Sequence, residues 1–123
     1  MPKITDEELK DLRAKHPRGV VVLNATPMDD DDVATGEPEQ FAFKKIDRAA
    51  YARYRASVRM AMASGGGSGE EETALARELF LWPGTEREAF DALRERAPSV
   101  VHTFGVLLAD DASASITVTR DPR

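Results

Sequence analysis

Proline and glycine constrain this chain more than any other residue types. Pro17 and Gly19, Gly36 and Pro38, the run GGGSG at 65–69, Pro83 with Gly84, and Pro98 recur along it. Proline removes a backbone donor and glycine admits left-handed backbone, so each cluster stops a helix or turns a strand. Only short elements fit between the stops. The 123 residues are the length of one domain. Hydrophobic residues make up 41%, enough for one modest core, so the chain is not disordered throughout. No apolar run approaches the roughly 20 residues that a bilayer-spanning helix needs.

The first segment predicts a helix. Thr5 can cap it, and Glu8 follows at the capping-box spacing. Ile4, Leu9 and Leu12 are its only large apolar groups, so it must dock or fray. Val20 to Leu23 reads as a short strand. Asp29, Asp30, Asp31 and Asp32 repel one another, and with Gly36 and Pro38 they predict an exposed turn. In Gln40 to Lys45, Phe41 and Phe43 alternate with Ala42 and Lys44, the pattern of a second strand with one buried face. A lone hairpin is unstable in water, so helices must cover its Phe face.

Asp47 can cap a long helix to about Ser64. Tyr51, Tyr54, Val58 and Met62 form a stripe assigned to the core, with Arg48, Arg55 and Arg59 on a polar flank. GGGSG reads as a flexible linker. Glu70, Glu71 and Glu72 favour a helix start. Leu75, Leu79 and Trp82 line one face of that helix, widened by Phe80 and Leu81, until Pro83 stops it. Thr85 and Glu88 predict a second capping box, opening a helix to about Ala97 with Phe90 and Leu93 inward. Val100, Val101, Phe104, Leu107 and Leu108 make the most apolar helix. Its Gly105 costs about 1 kcal/mol against alanine, unless a close helix contact compensates. Ser115 to Arg120 alternates as a third strand would, or as a tail that orders on a partner.

The expected fold class is α+β, an N-terminal β-hairpin packed on a small, mostly α-helical bundle. Residues 1–64 hold the first helix, hairpin and long helix. Residues 65–69 are the linker, and 70–123 a helical region with a candidate C-terminal strand. Together they are expected to form one domain.

The residue types argue against chemistry. There is no cysteine, which excludes disulfides, thiolate metal sites and cysteine catalysis. The acidic run fails as a calcium loop: with Gly36 at the sixth position, Val33 falls at the third and Ala42 at the twelfth. His16 and His102 have no second histidine at ligand spacing, and no G-x-S-x-G motif occurs. GGGSG lacks the Gly-Lys-Ser/Thr of a phosphate loop and runs into three glutamates. Asn24-Ala25-Thr26 matches a glycosylation acceptor, but MPKITDEELK is charged and is no signal peptide, so the match is incidental. The expectation is therefore no catalytic residue, cofactor or metal site, and a cytoplasmic location. Net charge is −5, from 17 basic and 22 acidic residues, which argues against nucleic acid as the main partner. Lys44 to Arg59 nevertheless holds six basic residues against Asp47 alone, read here as a solvated basic flank.

Phe80, Leu81 and Trp82 stand out. On a helix they span roughly 200°, more than one bundle face usually hides. They are either a wide core face or a partner-binding surface, since aromatic anchors dominate interfaces.

The order of elements resembles the tail assembly chaperones of long-tailed bacteriophages and prophages. A short leading helix (ITDEELKDLRAKHPRG), a strand (VVVL), an acidic loop and FAFKKIDRAAYARY carry the likeness. Phe41, Phe43, Lys44, Lys45, Asp47, Tyr51 and Tyr54 match the family's strand, cap and aromatic pair. LFLWPGTEREAFDALRERAPSVV matches its helix, aromatic-proline segment and following helix start. The resemblance covers most of residues 1–110; GGGSG and the alternating tail depart from the pattern. It implies a non-enzymatic protein of the host cytoplasm that binds the tape-measure protein and helps tail-tube subunits polymerise around it. A related structural virion protein, such as a head–tail connector or tail-end subunit forming a homo-oligomer, is the alternative.

Overall fold

A computed structural model describes residues 3–26, 31, 36–66, 69–84, 86–113 and 120–122. Among these the chain is α+β, with five α-helices and a three-stranded antiparallel sheet. Asp29, Asp30, Asp32, Thr85 and residues 115–119, on which the acidic turn and the last strand were expected, lie outside the described residues. The second capping box expected of Thr85 and Glu88 does not start its helix, which begins at Glu88 from Arg87 with no side-chain cap bond.

Helix α1, Asp6–Lys15, begins with the capping box its sequence predicts. The Glu8 amide donates to Thr5 Oγ1 at 3.1 Å, and the Thr5 amide donates to Glu8 Oε1 at 3.2 Å. Strands β1, Val20–Ala25, and β2, Glu39–Lys44, pair from Val20↔Lys44 to Ala25↔Glu39. Helix α2, Arg48–Ala63, is capped by Asp47, whose Oδ1 accepts the Ala50 amide at 2.7 Å. Helix α3, Glu70–Leu79, leads into β3, Phe80–Trp82, which pairs with the other edge of β2. Helices α4, Glu88–Arg96, and α5, Pro98–Asp110, complete the fold, with a 3₁₀ turn at Asp111–Ser113.

Three further expectations need correction. First, Phe80–Trp82 is a strand, not the last turn of a helix. Trp82 precedes a proline, which disfavours helical backbone there, and Phe and Trp suit a pleated surface. Second, β2 is buried on both faces: Phe41, Ala42 and Phe43 are all buried. The Phe face meets α5, and α1 lies over the Ala42 face. Trp82, opposite Ala42, donates from Nε1 to Glu8 Oε2 at 2.7 Å, and the Ile4 amide donates to Gln40 Oε1 at 3.1 Å. A helix with no fully buried residue is thus pinned to the sheet by polar contacts. Third, only part of the Tyr51–Met62 stripe meets the core: Tyr54 packs against it and Val58 is half-buried. Ala50 is the one fully buried residue of α2, Tyr51 is exposed, and Met62 is 68% exposed.

The core joins both sides of the glycine run. All five phenylalanines form one series of ring contacts, Phe41–Phe104–Phe43–Phe80–Phe90, at centroid separations of 5.4–5.9 Å. Leu75, Leu79, Leu93, Val101 and Leu108 fill around it. Helix α3 packs along α5 so closely that a Cβ on Gly105 would collide with the Glu72 carbonyl. This is the compensating contact that a glycine inside so apolar a helix requires. Gly69 is more than linker: it caps α3 in left-handed backbone (φ +85°), with its carbonyl oxygen 3.2 Å from His102 Nδ1.

Candidate protein-binding groove

Among the described residues, the sheet order β1-β2-β3 leaves β1 at an edge. The Lys45 amide donates to the Gly19 carbonyl at 3.0 Å, which fixes the phase of the β1–β2 ladder. In an antiparallel pair, backbone groups turn alternately toward and away from the partner. Gly19, Val21, Leu23 and Ala25 therefore bond toward β2. The N–H and C=O groups of Val20, Val22 and Asn24 point to the open side.

Beside that edge runs a groove of about 430 Å³ between β1 and α5. Val22, Leu23 and Ala25 form one wall; Val100, Phe104 and Leu107 form the other. Asn24, Thr26, Ser99 and Thr103 add the polar groups, and none of the lining residues is ionisable. The groove offers apolar contact next to a row of backbone donors and acceptors. Leu107 is 48% exposed at its rim, and Val106 beside it 38%.

Phe80, Leu81 and Trp82 sit at the other end of the sheet. Phe80 is 6% exposed and belongs to the ring series, while Leu81 and Trp82 are half-buried on β3. The Trp82 indole N–H is engaged by Glu8. Glu8 is held below the ordinary glutamate range, first by the Thr5 amide, then by the Thr5 hydroxyl and the Trp82 indole. The structure does not bring these three residues to the groove. The edge position of VVVL carries no signal in sequence, because Phe80–Trp82 also fits a helical period and the sheet order depends on its pairing with β2.

A second cleft, about 440 Å³, lies between α2 and α3 and is lined by Arg53, Tyr54, Leu75 and Glu78 among others. Arg53 pairs with Glu78 at 2.8 Å, and the Tyr54 hydroxyl donates to Glu72 Oε1 at 3.1 Å. Burial, then the Glu72 hydrogen bond and charge, push Tyr54 up to about 12, so it is neutral at physiological pH. Beyond this cleft α2 carries Met60 and Met62 at 72% and 68% exposure. Methionine is adaptable and overused at promiscuous binding surfaces.

His16 caps the C-terminus of α1, its amide donating to the Leu12 carbonyl at 2.9 Å. His102 Nδ1 lies 3.9 Å from Glu72 Oε2 as well as near the Gly69 carbonyl. Among the described residues no group of three or more His, Asp or Glu could hold a metal ion, and no helix is long and apolar enough to cross a membrane. Comparison with protein-family models, curated proteins and solved structures finds no match.

Proposed function

We propose that this chain is a tail assembly chaperone of a long-tailed phage, which holds the tape-measure protein in the host cytoplasm without catalysing a reaction. The observation that carries the reading is the β1 edge, unpaired among the described residues, beside the apolar β1–α5 groove. An extended segment added to that edge takes main-chain hydrogen bonds from Val20, Val22 and Asn24. Its alternate side chains enter the groove. Tape-measure proteins carry exposed apolar stretches, and covering them while adding net negative charge keeps the complex dispersed. The exposed Met60 and Met62 supply a further adaptable contact. The element order from the leading helix to the aromatic-proline segment supports the same family.

The test is co-expression with the tape-measure protein encoded beside this chain. The wild type is expected to raise its soluble fraction, and Leu107→Glu, at a half-exposed rim position, to lose that effect while remaining folded. An unchanged soluble fraction with the wild type refutes the reading. Mass spectrometry of purified particles separates the rival: stoichiometric presence of this chain makes it a structural virion protein.

A further inference from the structure

A basic cleft of about 220 Å³ lies where the end of α1, the start of β1 and the end of β2 converge. Lys15, Arg18, Lys44 and Lys45 line it, with His16 and Asp47. Two sequence-distant segments, Lys15–Gly19 and Lys44–Asp47, are brought together by the Val20↔Lys44 end of the hairpin and by the Lys45–Gly19 backbone bond. Among the described residues none of these four cations has an ion-pair partner, whereas Arg53, Arg77, Arg94 and Arg96 each pair with a carboxylate. The one carboxylate lining the cleft, Asp47, is committed to the Ala50 amide of the α2 cap. That bond holds its pKa low, followed by the charges of Lys44, Arg18 and Arg53.

A chain of net charge −5 thus gathers four unpaired cations around one cleft. The charge of Asp47 offsets part of their mutual repulsion, and an external anion would offset the rest. We propose that this cleft binds an acidic segment of a partner polypeptide, at a site separate from the β1–α5 groove. Carboxylate side chains on a flexible segment reach several donors at once. A peptide can confine its carboxylates to so small a cleft, whereas a nucleic-acid backbone carries a phosphate at every step and meets the protein's prevailing negative field beyond it, which favours the peptide.

The test is fluorescence anisotropy with a labelled hexaglutamate peptide on the full chain at low salt. Three other probes go alongside: a hexalysine peptide, a short single-stranded DNA and vesicles containing phosphatidylserine. The expected result is binding of hexaglutamate but not hexalysine, weakening with salt. The variant Lys15→Glu/Arg18→Glu, at two exposed positions, should lose about tenfold or more in affinity, because two attractions become repulsions. Arg55→Glu/Arg59→Glu makes the same change in net charge along α2 and should keep most of the affinity. No hexaglutamate binding overturns the proposal. So does equal loss in both variants, which would mean a diffuse field and not a cleft. Tighter binding of DNA or vesicles than of peptide also overturns it, by assigning the cleft to another class of ligand.

Discussion

Replacing Gly105 by alanine sets two effects of opposite sign against each other. In the interior of α5 the added methyl improves helix propensity by about 1 kcal/mol. The same methyl falls on the Glu72 carbonyl of α3. That obstacle is backbone and cannot rotate away, so α3 must move as a unit. Leu75, Ala76 and Leu79 move with it, and all three belong to the core. Overpacking of this kind costs typically 1–3 kcal/mol and occasionally more. Taking the upper end, near 3 kcal/mol, the net is about 2 kcal/mol of destabilisation. For a domain of this length, at roughly 4 °C per kcal/mol, the melting temperature falls by about 8 °C. Thermal unfolding followed by circular dichroism measures this. Thr103→Ala, exposed on the same helix, is the control and should stay within about 0.5 kcal/mol of wild type. A Gly105→Ala protein that melts at or above the wild-type temperature refutes the close α3–α5 approach.

Two titrations probe the side-chain contacts. Trp82 is the only tryptophan, and its indole N–H rests on Glu8, so its fluorescence reports on that carboxylate. The folded pKa of Glu8 is depressed. The docking it supports is therefore complete above the ordinary glutamate value, about 4.3, and is lost as pH falls through the lower folded value. The emission change should lie below pH 4.3 and vanish in Glu8→Gln; identical titration of the two proteins rules out the contact. Tyr54 has the opposite sign. Its folded pKa is raised to about 12, so its contribution is complete below the ordinary tyrosine value, about 10, and lost as pH rises through the folded one. Ultraviolet absorbance should show a step near 12 that Tyr54→Phe removes, and persistence of that step in the variant contradicts the Tyr54–Glu72 bond.

What could be read in the sequence followed local chemistry. Thr5 and Glu8, Asp47, and the Phe41–Phe43 alternation each act within a few residues, and each sits in the expected element. The failures came where tertiary partners decide. Leu75, Leu79 and Trp82 fit a helical period as well as Phe80–Trp82 fits a strand, and only pairing with β2 settles which forms. Half of the α2 stripe departs from the core because a helix at the margin buries only what its neighbour covers: Ala50 and Tyr54 meet the core while Met62 stays in water. The groove was invisible for the same reason, since VVVL reads alike at an edge or in the middle of a sheet. The basic cleft was half legible. Lys44 and Lys45 stood out in the basic stretch, but the hairpin had to bring Lys15 and Arg18 to them.

Amide hydrogen exchange of this chain, alone and bound to the tape-measure protein, tests the central claim most directly. The amides of Val20, Val22 and Asn24, which face the open edge, should exchange fast in the free chain and become protected in the complex. Protection that appears elsewhere while these three amides remain fast would contradict the account.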